Sequence, residues 1–311
     1  LLDVPGITPS IKVAVWRVDV GKVPLYLLDT DIPENTPQAR AISSRLYTGD
    51  KEQRLVQEIV LGIGGRKVLS ELGIDFSAVH LNEGHPSFAL LERTREFIED
   101  GLSFPDALAR VRGTSVFTTH TPVAAGHDVF PAPLIDKYFS GYYPALGIDR
   151  DTFLDLGRNP GDPAGMFNMA AFALKFTAYH NAVSLNHGIV SRRMWHHLWP
   201  DLVPEQVPID VITNGVHLPT WMNQRMEGLF SKYIGPVYPH WQQEHDNPSL
   251  WEMIDEIPDK ELWSLHLWLK AKLFNRIRER KRQRWASHLK EPLNLVADGL
   301  MLNPTVLTIG F

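Results

Sequence analysis

Val79-His80-Leu81 runs straight into Asn82-Glu83-Gly84-His85-Pro86: an apolar strand that stops in a polar cluster turned by glycine and proline. The transition recurs twice. Val116-Phe117 meets Thr118-Thr119-His120-Thr121-Pro122, and Val211-Ile212 meets Thr213-Asn214-Gly215-Val216-His217. β-Branched and aromatic residues suit strands, and Gly and Pro suit the turns that end them. In open α/β sheets, ligands bind in the crevice at the carboxyl ends of the strands. Three such ends therefore predict one polar site. A single cluster of this kind also serves as a helix cap, and Pro86 at a first helical position would make His85 an N-cap. Three together favour a binding site.

Working outward, strand-like runs lie at 11–17, 23–28, 77–81, 114–119, 209–213 and 305–310. Apolar residues recurring every three or four positions predict helices at 51–72, 86–100, 104–112, 165–198 and 259–288. The alternation argues for an α/β fold with a doubly wound, mainly parallel sheet. Met166 to Val183 is the most apolar stretch, but it contains Asn168, Lys175, Thr177 and His180. It reads as a buried core helix, not a membrane span. Prolines between Pro200 and Pro208 suggest a linker, giving domains at 1–208 and 209–311.

Composition agrees with a soluble enzyme. Of 311 residues, 44% are hydrophobic and 22% charged. A net charge of −5 gives no pull toward nucleic acid or an anionic membrane. With no cysteine there is neither a disulfide nor a thiolate metal site, which fits a reducing, cytoplasmic setting. Leu1-Leu2-Asp3-Val4-Pro5-Gly6 shows no targeting signal, and Thr305 to Phe311 reads as a final strand with nothing after it. The expectation is a chain missing residues at both ends.

Asn, His and Glu at the turns suit sugar hydroxyls, which both donate and accept. A phosphate ligand alone would call for Arg, Lys or a glycine-rich loop. Gly62-Ile63-Gly64-Gly65 follows a helical pattern, not a strand, so it is read as a helix end. His180, His187, His196 and His197 lack the short pair spacings of a zinc site and are read as core or interface histidines. Arg276, Arg278, Arg280, Lys281, Arg282 and Arg284 lie opposite Leu269, Leu273, Phe274 and Ile277, a solvated helix face.

At these turns the sequence resembles the α-glucan phosphorylases, the glycogen, maltodextrin and starch enzymes. Ser44-Arg45-Leu46-Tyr47 leads to Glu52-Gln53-Arg54-Leu55-Val56-Gln57-Glu58, then to Leu81 through Ser87 and Thr119-His120-Thr121. Phe167-Asn168-Met169-Ala170, Asn181-Ala182-Val183, His187 and Thr213-Asn214-Gly215-Val216 complete an ordered series. Glu83-Gly84 and the short loops look like the compact bacterial and archaeal branch.

The resemblance implies a glycosyltransferase-B architecture, with the start of a second domain after residue 208. It implies reversible phosphorolysis of α-1,4-glucan or maltodextrin by inorganic phosphate, giving glucose 1-phosphate with retention. It also implies pyridoxal phosphate, whose lysine would lie outside this chain, as would the loops that grip substrate phosphate; the chain alone is expected to be inactive. By the same resemblance His120 contacts the glucosyl unit and Asn214 its 6-hydroxyl. Val183 forms an apolar wall beside that hydroxymethyl group, with Asn181 two residues earlier in the same helix. Glu83 and His85 fall on the acceptor side of the cleft, and Asp31 on a mobile gate segment, Asp29–Asn35. Family members often form dimers. The alternatives are a sugar-nucleotide-dependent glucan synthase of the same architecture and a non-catalytic glucan-binding module.

Overall fold

The strand-end motifs all belong to one four-stranded parallel sheet. The computed structural model describes residues 10–46, 49–288 and 302–309. Tyr47, the opening Leu1–Gly6 and the final Gly310-Phe311 lie outside the described residues.

An antiparallel hairpin comes first, β1 (Ala14–Val20) and β2 (Val23–Asp29). Its two-residue turn needs a left-handed residue, supplied by Gly21 at φ 59°. The rod expected at 51–72 follows as α1 (Lys51–Ile59), a π turn at Val60–Gly64 and α2 (Gly65–Glu71). Asp50 caps it by accepting from the backbone N–H groups of Glu52 and Gln53.

The glycine run does not end this helix. A Cβ on Gly62 would stand 2.9 Å from Ala89 N and Phe88 Cβ. The glycine thus lets the rod lie against the start of α3 (Phe88–Glu99). That helix is capped by Ser87 without a side-chain bond, so His85 is not its N-cap.

The sheet begins with β3 (Val79–Asn82). After α3 and α4 (Phe104–Gly113) comes β4 (Ser115–Thr119). Then follow β5 (Val129–Pro131), α5 (Ala132–Phe139), α6 (Arg150–Leu156), β6 (Met166–Asn168) and α7 (Met169–Phe176). The chain returns to the sheet as β7 (Tyr179–Ala182), leaves through α8 (Leu185–Trp195), and returns as β8 (Asp210–Val211). The order β3-β4-β7-β8 is parallel throughout and advances in one direction across the described strands. Helical crossovers are what parallel neighbours require.

The stretch 165–198 is therefore not one helix. Asn168 accepts from Ala170 N and Ala171 N at 3.0 Å and fixes the start of α7. Thr177 turns to extended backbone (φ −125°, ψ 148°), and a strand follows. The buried-core reading does describe α7, where every residue but Lys175 is buried. Its Phe172 joins Phe88 and Phe167 in an aromatic cluster, with ring centroids 5.5–6.2 Å apart.

The chain divides after Asn214 into two compact units. The strand expected to open a second domain at 209 is the two-residue β8, paired with β7 in the first unit. The second unit contains α9 (Gln224–Tyr233), whose Phe230 packs against a cluster of Ile234, Trp241 and Leu250, and the long α10 (Asp259–His288). Within α10, Arg276, Arg280, Lys281 and Arg282 are exposed. Residues 305–309 form a turn and irregular chain, not the expected strand, because Asn303 Oδ1 bonds back to Thr305 N and Oγ1.

Candidate active site

Strands β3, β4 and β7 are tied together by side chains. His80 Nε2 lies 2.6 Å from Thr118 Oγ1, and Thr118 Oγ1 donates to Asn181 Oδ1 at 2.7 Å. Thr118 and Asn181 are buried and sit opposite each other in the parallel register. Asn181 is thus on a strand, not on the helix expected for it, and Val183 is the residue just beyond that strand. The half-buried Val183 donates its N–H to His187 Nδ1 at 3.3 Å and accepts from Asn214 N at 3.2 Å. Asn181, Val183 and Asn214 therefore lie together at the exits of β7 and β8, with Asn214 exposed.

Glu83 and His120 meet at the exits of β3 and β4. Glu83 is the only non-glycine residue at positive φ (65°) among the described residues. That conformation costs about 1–2 kcal/mol for a residue with a Cβ. Its Oε1 accepts from the backbone N–H of His120 and, at 2.8 Å, from that of Thr121. The carboxylate expected on the acceptor side is thus folded back onto the protein. His120 is half-buried, yet its Nε2 is fully covered and has no hydrogen-bond partner among the described residues.

His85 stands in an ionic cluster. Its Nδ1 is 3.0 Å from Asp128 Oδ2, which also accepts from Arg54 Nη2 at 3.0 Å. Arg54 Nε lies 3.2 Å from Glu58 Oε1, although neither oxygen of this buried carboxyl has a well-formed hydrogen bond. Burial pushes Glu58 up to about 8. The hydrogen bond to Asp128, and then the Glu58 carboxyl 3.6 Å away, raise His85 to about 9. At Asp128, burial is outweighed by hydrogen bonds from His85 and Arg54, which hold the carboxyl well below the usual range. Glu58, His85 and Asp128 have ligand atoms within 4.8 Å of one another, but the Arg54 guanidinium already supplies a positive charge between them.

Asp31 stands apart from these groups. It is exposed, and it accepts from Arg40 Nε at 2.6 Å within its own segment. The four histidines weighed as metal ligands each bond within the fold. His180 faces the carbonyls of Pro208, Leu174 and Thr177; His187 meets Val183 N and Ser191 Oγ. His196 meets Leu202 O, and His197 meets Asn159 Oδ1. Sequence reasoning named Thr118, Arg54 and Glu58 within motifs without giving them roles of their own, and missed Asp128 altogether. The i,i+4 spacing of Arg54 and Glu58 was a usable signal; Asp128, 43 positions from His85, carried none.

No family model matches the chain. Individual proteins do. It is 44% identical over 297 residues to a glycogen phosphorylase of Aquifex aeolicus, covering 96% of this chain and 42% of that one. It is 41% identical over 311 residues to a maltodextrin phosphorylase of Thermococcus litoralis, covering 100% of this chain and 36% of that one. The chain belongs to the α-glucan phosphorylase family. A Mycobacterium tuberculosis glycogen phosphorylase agrees, at 38% identity over 98% of this chain and 36% of its own length. The chain spans about two-fifths of the length of these phosphorylases. Its α/β unit, with a parallel sheet and polar strand ends, is consistent with part of the glycosyltransferase-B architecture of such enzymes. No described helix is long and apolar enough to cross a membrane.

Proposed function

We propose that this chain forms the glucose-binding wall of a cytoplasmic α-glucan phosphorylase. The reaction is reversible transfer of the terminal α-1,4-linked glucosyl unit of a glucan or maltodextrin to inorganic phosphate, giving glucose 1-phosphate with retention. His120 contacts the glucosyl unit, Asn214 binds its 6-hydroxyl, Val183 walls the hydroxymethyl group, and Asn181 holds β7 in place behind it. Asp31 lies on the segment assigned to the gate. The observation that carries this reading is that His120, Val183 and Asn214 stand at the carboxyl exits of β4, β7 and β8 in one parallel sheet, where open α/β sheets bind ligands. His and Asn side chains there can donate to and accept from sugar hydroxyls.

Pyridoxal phosphate, which the family implies, needs a lysine for attachment. The half-buried Lys175 donates from Nζ to Asp155 O and Arg158 O at 2.7 Å, which occupies its ammonium. The other described lysines lie at or near the surface. The described residues do not fit the cofactor, and the chemistry assigned to them is binding and orientation of glucose.

The test uses the full-length, cofactor-loaded enzyme and follows phosphate-dependent release of glucose 1-phosphate from maltodextrin. An unpaired buried partner costs about 1–3 kcal/mol, so His120→Ala and Asn214→Ala should each lower kcat/KM by roughly 5- to 150-fold. Ser87→Ala should leave it nearly unchanged, because Ser87 Oγ is buried and makes no hydrogen bond among the described residues. Equal losses in all three variants refute the residue assignment. Turnover of a nucleotide sugar instead of phosphate replaces the phosphorylase with the synthase.

A further inference from the structure

Residues 120–128 leave the four-stranded sheet after β4 and lead into β5, which pairs with β6 in a separate two-stranded sheet, and one turn holds both ends of this segment. At its start, Glu83 Oε1 receives the N–H groups of His120 and Thr121. At its end, His85 Nδ1 lies 3.0 Å from Asp128 Oδ2, and Arg54 bonds the same oxygen. Between them, residues 122–126 are exposed, while His127 is buried with Nδ1 3.9 Å from Glu83 Oε2. The turn is itself seated firmly. A Cβ on Gly84 would stand 3.1–3.2 Å from Met169 Cβ and Ala170 N, so this backbone lies directly on the start of α7. Met169 N also donates to Asp128 O at 3.0 Å.

We infer that the turn Glu83–His85 is a clamp that positions His120: Glu83 fixes the start of the segment, and His85 fixes its end through Asp128. Glu83 is buried and turned onto the protein, and His85, though its side chain stays partly exposed, is engaged by Asp128; in this inference both act as positioning residues. The left-handed backbone at Glu83 has a purpose in this arrangement, since it aims the carboxylate at two amides on the neighbouring strand's exit. An ionised acceptor on backbone N–H groups is a strong tether. The inference rests on the assignment of His120 as the sugar contact.

Two measurements separate the clamp from that assignment. In the full-length holoenzyme, Glu83→Gln and Asp128→Asn are each made alone and together with His120→Ala. Groups that act through one residue are non-additive. Each single variant should lose about 5- to 20-fold in kcat/KM for maltodextrin, and less than about 2-fold further once His120 is already alanine. Hydrogen exchange is the second measurement: Glu83→Gln should speed exchange of the His120 and Thr121 amides by about tenfold or more, leaving the β3–β4 ladder unchanged. If Glu83→Gln melts below the assay temperature, Asp128→Asn decides, read at Val129 and Met169. Undiminished losses in the His120→Ala background, or unchanged exchange, overturn the clamp while leaving His120 as the contact. A His120→Ala enzyme of full activity removes the sugar assignment instead, and the exchange data then decide the clamp alone.

Discussion

Glu58 carries a carboxyl that burial keeps protonated at neutral pH, and His85 beside it carries an extra proton. Both groups have folded-state values above their ordinary ones, about 8 for Glu58 and about 9 for His85. The folded state therefore binds these protons more tightly than the unfolded chain does. Their contribution is fully present below the unfolded values, 4.5 and 6.5, and is lost as pH rises through 8 and 9. Asp128 works in the opposite sense. Its depressed value stabilises above 3.8 and is lost as pH falls. The melting temperature is expected to drop between pH 6.5 and 9, and Glu58→Gln should flatten that drop. A scan that is level over this range in the parent protein rules the assignment out. The cluster was partly legible in the sequence. Glu83 and His85 stood out as a polar strand end, but their direction depends on the positive φ of Glu83 and on Asp128, neither of which leaves a local pattern.

The helical rod from Lys51 to Glu71 tests the reading of glycine at the scale of one element. Gly62 and Gly65 lie one turn apart in the same helix but meet different surroundings. A methyl group at Gly62 would run into the backbone and Cβ of Phe88 and Ala89 at 2.9–3.0 Å, whereas at Gly65 its nearest neighbour is Leu28 Cδ1 at 3.9 Å. Gly62→Ala should destabilise by about 1–3 kcal/mol, because backbone cannot move aside as a flexible side chain would. Gly65→Ala should be neutral or stabilise by about 0.5–1 kcal/mol through helix propensity. Urea unfolding of the two variants reads the difference, and equal shifts would refute the packing argument. The rod itself was legible from periodicity. Strand β7 was not, because Tyr179-His180-Asn181-Ala182 has no β-branched residue and only four positions between two helices. The period of three or four in α7 and α8 masks the break at Thr177. The polar ends of β3, β4 and β8 showed because each follows a short apolar strand and contains a glycine or proline turn.

At the scale of the whole molecule, two units with separate hydrophobic centres predict separable folding. The first unit has a large core that includes Phe88, Phe117, Phe139, Phe167, Phe172 and Trp195. The second has a small one in which Trp241 meets Phe230 and Trp251 at 6.0 and 6.5 Å. Residues 212–217, which join them, are exposed throughout. Exposed connections are where proteases nick native proteins. Limited proteolysis of this chain should therefore cut first between 212 and 217 and leave a resistant piece ending near Asn214. Removing a buried Trp costs about 3–5 kcal/mol, more than a core with three buried apolar residues among the described ones can lose. Trp241→Ala should thus abolish a thermal transition belonging to the second unit and leave that of the first in place. The check is calorimetry on the parent, the Trp241→Ala variant and a chain ending at Asn214. The first unit's transition should appear at nearly the same temperature in all three. One transition that Trp241→Ala shifts as a whole would mean that the two units fold as one. The strand ends that carry His120 and Asn214 would then owe their stability to residues beyond 214 as well as to the sheet.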